Sequence, residues 1–135
     1  MQVMKVPISE ILVYYDPASP IGKKTLAHAY AVSTKVNDVE YHKTRFTTTI
    51  WKQVLSMLKM QPKQLLNKSH PYYQKHIRGR EFDDEGWLNI LIRNPDLIIA
   101  PIAISGNRAI LCKNPMDIYK FSHHEPLHIP DEALQ

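Results

Sequence analysis

The chain has 135 residues, 44% of them apolar and 22% charged, with a formal charge of +4. That size and composition suit one globular domain around one core, and no segment approaches the roughly 18 to 20 apolar residues of a membrane-spanning helix. The single cysteine, Cys112, excludes an internal disulfide, an intramolecular dithiol cycle and a four-cysteine zinc cage. Lysine and arginine are scattered, and the densest cluster is Lys75, His76, Arg78 and Arg80, so direct nucleic-acid binding is not expected. The first apolar run, Ile11 to Tyr15, is too short for a signal peptide, which points to a cytoplasmic protein without membrane contact.

In chain order, Glu10 to Asp16 reads as a buried strand that runs into an Asp-Pro turn. Ser19 then offers an N-cap hydroxyl and Pro20 a preset first helical residue, and Ile21, Leu26, Ala27, Tyr30 and Ala31 supply an apolar helical face. Val36 to Tyr41 is a second strand, expected parallel to the first through a right-handed crossover. Thr47 to Thr49 cap a helix with Ile50, Trp51, Val54, Leu55 and Leu58 on its inner side. A short helical stretch at Leu65 and Leu66, the segment Pro71-Tyr-Tyr, and a helix behind Asp83-Asp84 bearing Trp87, Leu88, Ile90 and Leu91 complete a helical run. Leu97 to Ser105 and Arg108 to Cys112 flank Gly106-Asn107 as the arms of a hairpin. Asn114-Pro115 opens a last helix with Met116, Ile118, Tyr119 and Phe121.

The order strand, helix, strand, helices, hairpin, helix predicts an α/β protein. The arrangement is thioredoxin-like, a four-strand mixed sheet with flanking helices and a helical insertion between its halves. The domain is expected over residues 1–121, with residues 122–135, polar and proline-bearing, as a C-terminal tail.

Five segments in order carry a family resemblance. Tyr14-Tyr-Asp-Pro-Ala-Ser-Pro-Ile-Gly-Lys-Lys-Thr-Leu26 resembles the strand, Asn-Pro-x-Cys turn and helix start of arsenate reductases and Spx-type regulators. Gln64-Leu-Leu-Asn-Lys68 with Pro71-Tyr72 is similar to the family's Leu-Leu-Arg-Lys and Pro-Tyr segment, and Asp83 to Pro95 to its helix ending in His-Pro or Asn-Pro. Leu97-Ile-Ile-Ala-Pro-Ile-Ala-Ile104 is similar to Leu-Ile-x-Arg-Pro-Ile, and Ala109-Ile-Leu-Cys-Lys-Asn-Pro115 to the following strand and cap.

The resemblance implies where function should sit and what is missing. The family's thiolate belongs at the N-terminus of the first helix, where Ser19 stands, and a hydroxyl does not replace it in redox chemistry. Three arginines that would hold an oxyanion correspond to Asn67, Ala100 and Lys113, and the Cys-x-x-Cys pair of oxidation-sensing regulators corresponds to Ser19 and Gly22. Pro101 matches the proline, cis in the family, that faces the first helix and shapes the cleft. Cys112 alternates with Ile110 and reads as a small strand hydrophobe.

Two functional readings follow. The first is a non-catalytic binding or regulatory module that engages a protein partner and has no cofactor. The second is a glutathione- or anion-binding, transferase-like protein using Ser19 and Lys23, with Asn67, Pro101 and Lys113 as further ligand-binding candidates. Lys23 and Lys24 near a helix N-terminus oppose the macrodipole, a conflict that a bound anion would relieve. A metal site at His123, His124, Glu125 and His128 is not expected, because Pro126 disfavours the helix that would align His124 with His128.

Overall fold

The computed structural model describes residues 6–124. The elements are β1 (Glu10–Tyr15), α1 (Pro20–Val32), β2 (Lys35–Glu40), α2 (Thr48–Leu58), α3 (Pro71–His76), α4 (Asp84–Arg93), β3 (Ile102–Ser105) and β4 (Arg108–Leu111). Short 3-10 segments lie at Tyr41–Lys43, Pro62–Leu65 and Pro95–Leu97, and a longer one closes the domain at Pro115–His124. The sheet order is β2-β1-β3-β4. β1 and β2 are parallel, with Glu10 opposite Lys35, and β3 runs antiparallel to both β1 and β4.

β1 is central because both of its faces are apolar. Ile11, Val13 and Tyr15 pack with Ala29, Ala103, Cys112, Ile118 and Phe121, which joins α1 and the last 3-10 helix to one side of the sheet. Tyr14 joins the other, larger cluster, built from Phe46, Trp51, Val54, Leu88 and Leu91 with Ile102 and Ile104. The two-residue period of a strand thus sorts one sequence run into two cores.

The helix termini follow the chemistry written in the sequence. Thr47 Oγ1 accepts the Ile50 N–H and Asp83 Oδ1 accepts the Gly86 N–H, while Ser19 does the same for α1. α4 also carries Asp84 and Glu85 in its first turn and Arg93 in its last, the charge order that its dipole favours.

Two expectations need correction. The first hairpin arm is a strand only from Ile102, because Pro95 and Pro101 interrupt the preceding stretch and a proline has no N–H for a ladder. The last helix is 3-10 rather than α: Ile118 and Phe121, three residues apart, are both buried, and a three-residue period keeps them on one face. It runs to His124, and residues 125–135 of the expected tail lie outside the described residues.

Candidate functional site

The turn between β1 and α1 is held by local hydrogen bonds of Asp16 and Ser19. Asp16 Oδ1 accepts the Ala18 N–H at 2.9 Å and the Asp16 carbonyl accepts the Ser19 N–H at 3.0 Å. Ser19 Oγ then accepts the Gly22 N–H at 3.2 Å, and its own O–H donates to no described residue. Gly22 is buried because the helix passes over the turn: a Cβ there would lie 2.6 Å from the Asp16 carbonyl oxygen. Lys23 and Lys24 are exposed, and the first turn holds no acidic residue, so this helix end is electropositive.

At a second place, the loop that enters β3, Asn67 bonds to the start of the loop and Cys112, the neighbour of Lys113, to Pro101 at its end. The Asn67 N–H donates to the Leu97 carbonyl at 2.7 Å, and the Ile99 N–H donates to the Leu65 carbonyl at 2.8 Å. Asn67 Oδ1 accepts the Ser69 N–H, so the side chain is used to shape its own turn. Ala100 and Pro101 are buried, and the Pro101 carbonyl accepts the Cys112 N–H at 2.8 Å, which leaves Lys113 exposed one residue beyond. The expected cis bond is not found: the Ala100–Pro101 peptide is trans, the form that an X-Pro bond prefers by about 0.5–1 kcal/mol.

Tyr41 links the two places and had no signature in the sequence. It is buried, its hydroxyl donates to the Ala100 carbonyl at 2.9 Å, and both Asp16 and Cys112 are near enough to act on it electrostatically. Burial, reinforced by Cys112, raises its pKa well above the usual tyrosine value, although a backbone hydrogen bond from Ile102 acts the other way. A buried tyrosine needs a partner for its hydroxyl, and only the fold names that partner.

Cys112 has no exposed surface. Loss of hydration, followed by the nearby Asp117, pushes its thiol up to about 12, with Lys120 partly opposing. It is therefore a neutral thiol across the physiological range, and it packs as the small hydrophobe its alternation suggests. Among the described residues there is no group of three His, Cys, Asp or Glu side chains arranged to hold a metal ion, and no helix long and apolar enough to cross a membrane. The His123 and His124 side chains, Glu125 and His128 lie outside the described residues.

No sequence-family model matches the chain, and no curated protein is significantly similar to it. Solved structures are similar in fold. An arsenate reductase from Vibrio cholerae superposes with a TM-score of 0.76 at 17% identity, covering 83% of this chain and 97% of that one. A Yersinia pestis protein provisionally designated an arsenate reductase gives a TM-score of 0.75 at 21% identity, covering 82% and 98%. A Bacteroides fragilis protein provisionally related to the ArsC family gives 0.70 at 15%, covering 83% and 98%. The chain thus carries the thioredoxin-like fold of solved arsenate reductase structures, over nearly the whole length of each.

Proposed function

We propose that this protein is a non-redox member of the arsenate reductase and Spx-type group, working in the cytoplasm as a binding or regulatory module without a cofactor. The observation that carries this reading is the state of its only thiol: Cys112 is fully buried, and its pKa is pushed up to about 12. Thiol–disulfide and thiol–oxyanion chemistry require an accessible thiolate, and at neutral pH this side chain supplies neither access nor charge. At the place where the resemblance puts the nucleophile, Ser19 acts as the N-cap of α1.

The available Ser19 O–H and the electropositive start of α1 favour one second reading, in which a thiolate or small anion such as glutathione binds there. Calorimetric titration with reduced glutathione, arsenate and phosphate, on wild type and on Ser19→Ala, separates the two. The module reading expects no saturable heat from any of the three. Saturable binding lost in Ser19→Ala would install the second reading, and arsenate reduction by the wild-type protein with glutathione or a dithiol as reductant would overturn both.

A further inference from the structure

Helix α4 has two flanks of opposite character. On the side toward α2, Glu85 pairs with Lys52 at 3.3 Å, and Asp84 and Leu88 line a cavity together with Lys52 and Lys59. On the side toward α3, the stripe Gly86, Asn89, Ile90 and Arg93 forms one wall of a separate groove of about 430 Å³. The opposite wall comes from α3 and the chain after it, and no carboxylate lines the groove.

The groove pairs an aromatic and aliphatic floor with positioned cations. Phe82 and Ile90 lie at its base, partly buried against the main core. The Arg80 guanidinium stands over the Phe82 ring at 5.2 Å and donates to the His76 carbonyl at 3.1 Å, which fixes it at the rim with donors to spare. The Arg93 side chain has no hydrogen-bond or ion-pair partner among the described residues. Tyr72 is 44% exposed and packs on the His76 ring at 4.5 Å, presenting an aromatic surface on the same wall.

We propose that the α3–α4 groove is a docking site for a short acidic segment of a partner protein. One aromatic or aliphatic side chain of that segment sits between Tyr72 and Ile90, and its carboxylates meet Arg80 and Arg93. The charge of the walls selects an acidic occupant, and arginine suits carboxylates through its planar fork of donors. The length selects a short one: residues 86 to 93 of a helix span about 10 Å, which matches about three residues of extended chain. A nucleic-acid strand is disfavoured because its phosphates would continue past the groove onto the acidic start of α4, Asp83, Asp84 and Glu85. The assignment rests on the reading of the protein as a binding module.

The test is fluorescence anisotropy of the full chain with a fluorescein-labelled, C-terminally amidated acidic tripeptide, Glu-Phe-Asp, beside a labelled oligo-dT strand. Saturable peptide binding is expected, weakened about tenfold or more in Arg80→Glu/Arg93→Glu, several-fold in Tyr72→Ala, and less than about threefold in Arg45→Glu/Lys120→Glu, which removes the same charge elsewhere. Circular dichroism confirms that each variant is folded, and the milder Arg80→Gln/Arg93→Gln replaces the charge reversal if that variant is not. Absence of peptide binding, equal losses in the two charge-reversal pairs, or binding of oligo-dT in place of the peptide would each overturn the proposal. Arsenate turnover would remove the module reading while leaving the anisotropy result as measured, so the two failures are distinguishable.

Discussion

The Tyr41 hydroxyl donates to the Ala100 carbonyl across 2.9 Å, joining the chain just after β2 to the loop that enters β3, 59 residues later. Ala100 stands where the resemblance places an oxyanion-holding arginine, and here its residue is buried with its carbonyl engaged. Tyr41→Phe should leave that buried acceptor without a partner and cost about 1–3 kcal/mol. Urea unfolding followed by tryptophan fluorescence measures it, as a lower midpoint at unchanged slope.

Cys112 should be silent to a thiol reagent such as DTNB in the native protein at pH 7–8 and react fully in denaturant. Its alkaline linkage has a definite sign. The folded-state pKa of about 12 lies above the ordinary thiol value of 9.0, so the native state holds a proton that the unfolded state gives up first. The resulting stabilisation is complete below pH 9 and is lost as pH rises from 9 toward 12. Tyr41, Tyr14 and Tyr15, all raised by burial, act in the same direction above pH 10. Melting temperatures between pH 8 and 11 should fall steadily, and less steeply in Cys112→Ala.

Ser19→Ala should cost about 1 kcal/mol, the usual effect of losing an N-cap, whereas Ser19→Gly should cost only a few tenths. Thermal melts of the two variants check this ordering. Equal losses in both would mean that the hydroxyl contributes through something other than capping Gly22.

Gly22→Ala would ordinarily help a helix by nearly 1 kcal/mol. Here the added methyl group meets the Asp16 carbonyl oxygen at 2.6 Å, and a backbone atom has little room to retreat. The expected outcome is net destabilisation of about 1–3 kcal/mol, read as a lower urea midpoint than wild type.

Much of the fold was legible because its signals are local. Ser19, Thr47 and Asp83 each cap the helix that follows them, as their side-chain chemistry predicts. Gly106 and Asn107 join β3 to β4, with Gly106 at a φ of +62°. The errors arose where local pattern was ambiguous. An apolar run from Leu97 to Ser105 reads as one strand, yet Ile98 to Pro101 spends its backbone bonds on Pro95, Leu65, the Tyr41 hydroxyl and Cys112. The apolar residues from Met116 to Phe121 fit a 3.6-residue period about as well as the three-residue one that the fold adopts.

The candidate site was legible only by position. Ser19, Asn67, Pro101 and Lys113 could be named in the sequence, but Ser19 lies at the α1 turn and the others around the β3 entry loop, and Tyr41, which connects them, carried no signature. Element order, helix capping, the hairpin turn and the absence of a second cysteine were determined by the sequence alone, because each depends on residues within a few positions or on counting. The neutral state of Cys112, the role of Tyr41 and the opposed flanks of α4 were decided only by tertiary structure. Each depends on which distant side chains exclude water from a group or leave it in solvent, and that exclusion sets pKa, hydrogen-bond demand and the charge a surface presents.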